Sequence, residues 1–263
     1  MSLKRIFKRN THNSFFRTLG NFGITMNRFY ENRNHDIYSN GELRVIKKLS
    51  TLNPLVIIDG GANIGRYSLE VDKQCSNVSV YSFEPVESTF RILENNTKDN
   101  GQITPVMKGL YSGNTKKEIN IFPGISHSSI YDLKAVPFEK VDSETIELVS
   151  GDQFMAENGI DSVDLLKLDV EGAEYRALEG FKNAFHNKKI KMVQFEYGYI
   201  NITTRKLLLD FYEFFESYGY ITGKVFPKKV KFRPYKFKYE DFMGPNFVAV
   251  GKTDTELIEL LSR

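Results

Sequence analysis

Acidic side chains follow three short apolar runs of this chain, and each stands beside a turn. Asp59, Glu84 and Asp169 come at the ends of the runs 56–58, 78–83 and 163–168. Each run has the length and apolar character of a buried strand. Open α/β sheets bind ligands in the crevice outside the carboxyl ends of their strands, so the three acids are predicted to face one crevice.

A glycine-rich turn, Asp-Gly-Gly-Ala-Asn-Ile-Gly (59–65), follows the first run. Without Cβ atoms, Gly61 and Gly65 allow the backbone to approach a ligand closely. The turn is neither a Gly-x-Gly-x-x-Gly dinucleotide motif nor a Gly-Lys-Ser/Thr phosphate loop. Acids with almost no basic residue at the turns argue against a pyrophosphate and favour a cationic nucleoside. S-adenosylmethionine, with its sulfonium and ammonium groups, is the cofactor that we predict.

The roles in cofactor binding follow from position. Asp59 and the Gly60–Gly61 backbone are expected to hold the methionine end, and Asn63 to donate to its carboxylate or to fix the turn. Glu84 lies about twenty residues beyond the glycines, the spacing of a carboxylate that accepts from ribose hydroxyls. Gly65 and Pro85, which flank these residues, are assigned to the same site.

Methyl transfer to a hydroxyl needs alignment and a group that removes the acceptor's proton. Asp169, Glu171 two residues further along the turn, and His127 in a polar loop are the candidate bases. The two acids could instead act electrostatically or favour the start of the next helix. Glu196 and Tyr197, ending another strand, could line the acceptor pocket.

A divalent metal is the less favoured alternative. Asp169 and Glu196 could supply oxygen ligands. Because no second acid or asparagine directly follows Asp169, we assign no metal-binding residues.

Three motifs together resemble the FkbM family of S-adenosylmethionine-dependent methyltransferases: the stretch 59–65, Phe-Glu-Pro (83–85) with Leu-Glu-Asn-Asn (93–96), and Asp-Leu-Leu-Lys-Leu-Asp-Val-Glu-Gly-Ala-Glu (164–174). The resemblance covers roughly residues 40–225. It implies a Rossmann-like class I fold with a mostly parallel seven-stranded sheet and an antiparallel last strand, and O-methylation of sugar or polyketide hydroxyls. It also implies that Ser112 lies near the adenine and that Asp152 belongs to the cofactor site.

Strands alternating with helices predict βαβ units and a parallel sheet. The predicted helices are 42–52, 63–72, 87–100, 174–183 and 203–218, and the later strands are 103–107, 190–196, 220–225 and 246–250. Between about 109 and 160 the pattern breaks, and the segments 118–122 and 144–149 predict an antiparallel pair. We therefore expect a basic arm and helix over 1–50 and a methyltransferase domain over 51–263 with this β insertion.

Composition narrows the class of protein. The chain has 263 residues, 41% hydrophobic and 26% charged, and a single cysteine, which excludes a disulfide framework. No apolar run approaches the roughly 20 residues of a membrane span, so the expected compartment is the cytoplasm.

Two basic runs, 4–28 and 224–238, contain no acid. They are either ordinary solvated surface or attract an anionic partner such as a membrane, which would make the protein peripheral to it. Residues 2–30 are either an amphipathic helix on a membrane or partner, or an arm packed on its own domain; we favour the arm.

We interpret the chain as an S-adenosylmethionine-dependent O-methyltransferase that acts on a saccharide hydroxyl of a surface or lipid-linked glycan. One rival is a methyltransferase of RNA or other nucleic acid, which the basic runs favour. The Asn/Asp-Pro-Pro-aromatic motif of amino-methylating enzymes is missing, however, so a nucleic-acid acceptor is not expected. The other rival is a non-catalytic nucleoside-binding protein. The sequence does not indicate an oligomeric state.

Overall fold

The computed structural model describes residues 3–9, 11–122, 128–132, 140–242 and 244–263. The strands are β1 (Val56–Gly60), β2 (Ser79–Phe83), β3 (Ile103–Val106), β4 (Gly109–Tyr111), β5 (Thr115–Ile121), β6 (Ser128–Ser129), β7 (Asp142–Ser150), β8 (Val163–Leu168), β9 (Ile190–Glu196), β10 (Tyr220–Phe226), β11 (Lys229–Phe232) and β12 (Asn246–Gly251). The helices are α1 (Leu3–Arg9), α2 (Ser14–Tyr30), α3 (Glu42–Ser50), α4 (Arg66–Gln74), α5 (Glu87–Thr97), α6 (Gly151–Glu157), α7 (Glu174–Glu179), α8 (Lys182–His186), α9 (Asn201–Thr204), α10 (Leu208–Ser217) and α11 (Thr255–Ser262).

The main sheet has eight strands in the order β11-β10-β12-β9-β8-β1-β2-β3. The five strands from β9 to β3 are parallel, and β12 runs antiparallel to both of its neighbours. This confirms the Rossmann-like α/β fold, mostly parallel, with an antiparallel last strand. The expectation of seven strands is wrong by one: β11 pairs antiparallel with β10, inside the second basic run.

Apolar side chains alternate between the two faces of the main sheet, as the period of two in a strand requires. Ile58, Leu166 and Val193 face the core covered by α6, α7, α8 and α10. Their neighbours Ile57 and Leu165 face the core covered by α3, α4 and α11. With helices on both faces, the carboxyl ends of the parallel strands remain open at one edge.

A second sheet, in the order β4-β7-β5-β6, forms after β3. β5 and β7 pair antiparallel from Thr115 with Leu148 to Ile121 with Asp142, which confirms the predicted antiparallel pair. Val86, Ile119, Ile146 and Leu148 form its buried apolar side.

The predicted helix 174–183 is two helices, α7 and α8, and the predicted helix 203–218 is α9 and α10. Arg205 separates the second pair with a left-handed φ of 54°, which a continuous helix cannot contain. Helices α6 and α11 were not predicted. Both are short, so their periodicity is a weak signal.

The long helix α2 has no buried residue. The expectation that the N-terminal arm packs on its own domain is therefore wrong for this helix. Within the ranges that the structure describes, no helix combines the length and apolar character of a membrane-crossing segment.

Candidate active site

A cavity of about 480 Å³ opens at the carboxyl ends of the parallel strands, within the size range of small-molecule sites. Its wall combines residues from the strand-end turns, from the second sheet and from the segment before α3. Among the residues that line it are Arg33, His35, Glu42, Gly61, Asn63, Glu84, Pro85, Leu110, Ile119, Ile146, Leu148, Asp169, Glu171, Glu196 and Tyr199. β2, β1, β8 and β9 are consecutive in the sheet, so the acids at their ends span three strand spacings, about 14 Å.

The turn after β1 is fixed to the end of β2. The N–H groups of Gly61 and Ala62 donate to the Phe83 carbonyl, and the N–H of Asn63 donates to Glu84 Oε2 over 3.2 Å. Glu84 Oε1 accepts from the Val86 N–H at 2.9 Å. Burial raises the pKa of Glu84 to about 7.

Gly61 is required for the packing of two turns of the chain against each other. Its φ is +80°, and a Cβ there would lie 1.8 Å from the backbone oxygen of Asp169. We expected Gly61 to let the backbone approach a ligand. In the structure, it lets the turn after β1 approach the turn after β8. Gly65, also at positive φ, would place a Cβ against Leu93, so it too serves packing.

The turn after β8 carries Asp169 and Glu171. Glu171 has a left-handed φ of 50°, and Gly172 follows at 101°. The Glu174 carboxylate holds this turn by accepting from the N–H groups of Val170 and Gly172 at 3.0 and 3.1 Å. Left-handed backbone at a residue other than glycine costs free energy and often marks a functional position. Burial and the nearby acids Glu196 and Asp169 raise the pKa of Glu171 well above its usual value.

Lys167 lies under the cavity with its ammonium between two acids. Its Nζ is 3.5 Å from Asp59 Oδ1 and 3.3 Å from Asp169 Oδ2. Burial alone would lower the pKa of Lys167, but Asp169, Asp59 and Glu42 raise it overall, so the lysine is charged. Burial would raise the pKa of Asp169, but the neighbouring Lys167 ammonium lowers it, and the pKa is lowered overall. Asp169 is therefore an ionised carboxylate that faces the cavity.

Glu196, at the end of β9, adjoins Asp169 and His35. Its pKa is raised well above the usual value by burial and by Asp169, with which it shares a side-chain hydrogen bond. His35 Nδ1 lies 3.3 Å from Glu196 Oε1, and the His35 side chain is 61% exposed. Asp169 thus stays ionised beside two carboxylates, Glu171 and Glu196, that retain protons more readily.

The other wall of the cavity is apolar. Pro85 contributes from the loop after β2, and Leu110, Ile119, Ile146 and Leu148 contribute from strands of the second sheet. Ser129 Oγ, in β6, donates to the Glu171 carbonyl over 2.7 Å, which joins this sheet to the turn after β8. A flat heteroaromatic base suits the apolar wall, while the acids suit a cation.

The structure brings together six of the predicted site residues along the cavity: Gly61, Asn63, Glu84, Pro85, Asp169 and Glu171. Gly60 and Gly65 support the glycine turn from β1 and from the start of α4. Among the candidate acceptor residues, Glu196 lines the cavity, whereas the Tyr197 hydroxyl donates to Glu240 at 2.6 Å. His127 lies outside the described residues.

Like Gly60 and Gly65, three further predicted residues, Asp59, Ser112 and Asp152, do not line the cavity. Asp59 is fully buried, and its Oδ2 accepts from the Ser68 hydroxyl at 2.7 Å. Ser112 is exposed beyond β4. The Asp152 carboxylate accepts from the N–H groups of Asn183 and Ala184, each at 2.8 Å, and so caps the start of α8.

Sequence reasoning missed Arg33, His35 and Glu42, which line the same cavity. Glu42 is the first residue of α3, and Arg33 and His35 lie in the segment before it, which we assigned to the N-terminal arm. Asn32 fixes this segment by donating to the carbonyls of Asn40 and Val225 at 2.8 and 3.0 Å. No periodicity or motif marks it, because its position depends on a contact with β10 about 190 residues away.

The cavity fits a cationic nucleoside. It offers a buried carboxylate (Glu84) beside the glycine turn, an apolar wall, and an ionised carboxylate (Asp169) about two strand spacings from Glu84. Among the described residues, no group of three or more His, Cys, Asp or Glu side chains is arranged to hold a metal ion. The arrangement can bind a positively charged donor and present acids of different basicity to an acceptor.

Residues 59–222 match the family model described as the methyltransferase FkbM domain. That range contains the glycine turn, Glu84 and the turn after β8.

Two curated relatives are similar over part of the chain. The hexuronic acid methyltransferase AglP of Haloferax volcanii is 30% identical over 160 residues, which cover 59% of this chain and 62% of AglP. The methyltransferase sdnD of Sordaria araneosa is 29% identical over 157 residues, which cover 49% of this chain and 60% of sdnD. The chain therefore spans about 60% of the length of these relatives.

Solved structures are similar at lower identity. An S-adenosylmethionine-dependent O-methyltransferase of Thermotoga maritima aligns with a TM-score of 0.43 and 12% identity, over 80% of this chain and 64% of that chain.

Proposed function

The chain belongs to the FkbM methyltransferase family, and we propose that it transfers the methyl group of S-adenosylmethionine to a hydroxyl group of a saccharide. Membership in this family supports methyl transfer that depends on S-adenosylmethionine. The observation that supports our assignment of the site is the line of acids at the ends of β2, β8 and β9, along one cavity.

Glu84 and the glycine turn are the residues that we assign to the cofactor. The Glu84 carboxylate would accept from the ribose hydroxyls, next to the backbone of Gly61 and Asn63. Pro85 and the second sheet, including Leu110, would enclose the base. Asp169, held ionised by Lys167, would attract the positive charge of the cofactor. When bound, the cofactor supplies an electrophilic methyl group.

Glu171 is the base that we propose for the acceptor hydroxyl. It lines the cavity, its pKa is raised, and Gly172 and the Ser129 hydroxyl fix its backbone. A carboxylate with a raised pKa accepts a proton more readily than one of ordinary pKa. In its carboxylate form Glu171 would take the acceptor's proton, while the cofactor would give its methyl group to the acceptor oxygen and leave as S-adenosylhomocysteine. Asp169 is the less suitable base because Lys167 lowers its pKa.

A saccharide acceptor is supported by the similarity to AglP, whose name describes an enzyme that methylates a hexuronic acid. The polar mouth of the cavity, with Arg33, His35 and Tyr199, suits a hydroxyl-rich acceptor. We propose a surface or lipid-linked glycan, methylated in the cytoplasm at a membrane surface.

Methylation of a saccharide carboxylate is the second candidate. Arg33 lines the cavity and makes no ion pair with any acid in the described part of the chain. A guanidinium in that state can bind the carboxylate of an acidic sugar. A carboxylate acceptor has no proton to lose, so this reaction would not need Glu171 as a base.

Labelled S-adenosylmethionine incubated with separate glycan, RNA and small-phenol pools tests the proposal. We expect label in the glycan pool and a loss of turnover of at least about tenfold in Glu171→Gln. Asp169→Asn and His127→Asn measure the other two candidate bases. Label only in RNA, or cofactor binding without transfer to any pool, would contradict the proposal.

A further inference from the structure

Helix α2 carries an apolar stripe that the rest of the described chain does not cover. Phe15, Leu19, Phe22, Met26 and Phe29 recur at intervals of four and three residues, so they lie along one side of the helix. We call these five residues the α2 stripe. Their exposed fractions are 68%, 50%, 60%, 44% and 75%. Exposed apolar surface of this extent marks an interaction surface.

The positive charge around the α2 stripe indicates which kind of partner binds it. Residues 1–30 contain six basic residues and no acid: Lys4, Arg5, Lys8, Arg9, Arg17 and Arg28. Two copies of this segment would repel each other, because neither offers an acid to pair with the other's arginines. An anionic surface attracts such a segment. A helix with an aromatic-rich side and basic residues is the kind that lies in the interface of an anionic bilayer.

The end of α2 is fixed beside the cavity. Glu31 directly follows the helix and pairs with Lys224 and Arg233, each at 3.3 Å. Arg33 and His35, two and four residues further, line the cavity. Since the same short segment connects the helix to the cavity, a membrane that binds α2 lies near the cavity's mouth.

A second basic surface adjoins this anchor. Lys228, Lys229 and Lys231, in the hairpin of β10 and β11, are exposed, and so are Lys236 and Lys238. Between the last two, Phe237 is 85% exposed. This hairpin contains Lys224 and precedes Arg233, the two partners of Glu31, so both basic surfaces belong to one end of the molecule.

We propose that α2 binds an anionic membrane surface through its stripe and so holds the mouth of the cavity at the bilayer. The proposal concerns where the enzyme acts, and it is separate from the identity of the acceptor. It implies that acceptors attached to a lipid are methylated on the membrane.

Flotation of the full chain with vesicles tests this inference. We expect binding to mixed phosphatidylglycerol and phosphatidylcholine vesicles, weakening as salt is raised, and little binding to phosphatidylcholine alone. The triple variant Phe15→Ser/Phe22→Ser/Phe29→Ser should bind at least about tenfold more weakly. Ile24→Ser is the matched control, because Ile24 is 48% exposed and lies two and a half turns from Phe15, on the opposite side of α2. It should bind within about twofold of the wild type.

Calorimetry with S-adenosylhomocysteine and methyl transfer to a soluble acceptor, without vesicles, show whether the triple variant is folded. Both should be unchanged, because α2 has no buried residue. These readouts also separate a failure of membrane binding from a failure of the proposed reaction. The inference would be overturned if the triple variant bound anionic vesicles as tightly as the wild type, or if the wild type bound neutral vesicles as tightly as anionic ones. It would also be overturned if the wild type did not float with vesicles but formed a dimer that the triple variant cannot form. Binding to RNA in place of vesicles would overturn it as well.

Discussion

The backbone N–H of Asn63 donates to Glu84 Oε2 over 3.2 Å, so the glycine turn and the carboxylate at the end of β2 form one unit. The strands that carry them are hydrogen-bonded neighbours, with Gly60 opposite Phe83. A cofactor that binds Glu84 therefore meets the turn in a fixed position. This relationship is the reason to expect specific losses when either residue is changed.

Replacing Glu84 with glutamine should weaken cofactor binding. Above pH 7, where Glu84 is ionised, the variant replaces a charged acceptor for two ribose hydroxyls by a neutral amide. Hydrogen bonds to charged groups are worth about 1.5–3 kcal/mol. We expect the dissociation constant of S-adenosylhomocysteine, measured by calorimetry, to rise by at least about tenfold. Glu94→Gln, an exposed acid on α5, is the control and should bind as the wild type does. Unchanged affinity in Glu84→Gln would remove this residue from the site.

The stability of the unliganded protein should depend on pH through Glu84. Burial raises the pKa of Glu84 from 4.5 to about 7, so the folded protein keeps a proton there that the unfolded chain releases. The unfolding free energy therefore falls as pH rises across that window, by up to about 3 kcal/mol from this group. In denaturant titrations from pH 4.5 to 7, the unfolding free energy of Glu84→Gln should fall less steeply with pH than that of the wild type. A wild-type and a variant curve of equal slope would contradict the raised pKa.

Adding one methyl group at Gly61 should destabilise the fold. The new Cβ would meet the Asp169 carbonyl at 1.8 Å, at a φ of +80°. Gly61→Ala should lower the unfolding free energy by about 2 kcal/mol or more. Gly101→Ala, where nothing lies within 4 Å, is the matched control. Equal stability of the two variants would mean that the two turns are not in contact.

Lys167 should be a large contributor to stability, because it alone lies between Asp59 and Asp169 in the described structure. Lys167→Met leaves Asp59 buried without its counter-ion, and loss of one partner of a buried pair costs about 3–5 kcal/mol. The double variant Lys167→Met/Asp59→Asn should recover part of the loss, since it removes the unpaired charge. Denaturant unfolding of the wild type, both single variants and the double variant measures the coupling. Additive losses would show that the pair does not interact.

Much of the fold follows from the sequence because its signals are local. The apolar runs that end in Asp59, Glu84 and Asp169 are the strands β1, β2 and β8, and the period-two segments around 118–122 and 144–149 are the paired strands β5 and β7. Strand β11 was missed because its sequence, Lys-Val-Lys-Phe, is as basic as a solvated loop. Its pairing with β10 decides its structure.

The roles of single acids are harder to derive from sequence. Asp59 and Asp169 both end strands, yet Asp59 is enclosed beside Lys167 and Ser68, whereas Asp169 faces the cavity. The two acids differ because different residues pack against the two strand ends. The spacing of acids along the sequence does not predict that packing. The same holds for Asp152, whose carboxylate meets two N–H groups at the start of α8. It holds also for His35, which reaches Glu196 only because Asn32 is bound to β10.

The most direct test of the proposed reaction is the chemical nature of the methyl group on an acidic glycan. The purified enzyme would transfer labelled methyl to such a glycan, and the product would then be treated with mild base. A sugar hydroxyl gives a methyl ether, so the account predicts that the label stays on the saccharide. Release of the label as methanol would reveal a methyl ester and contradict transfer to a hydroxyl.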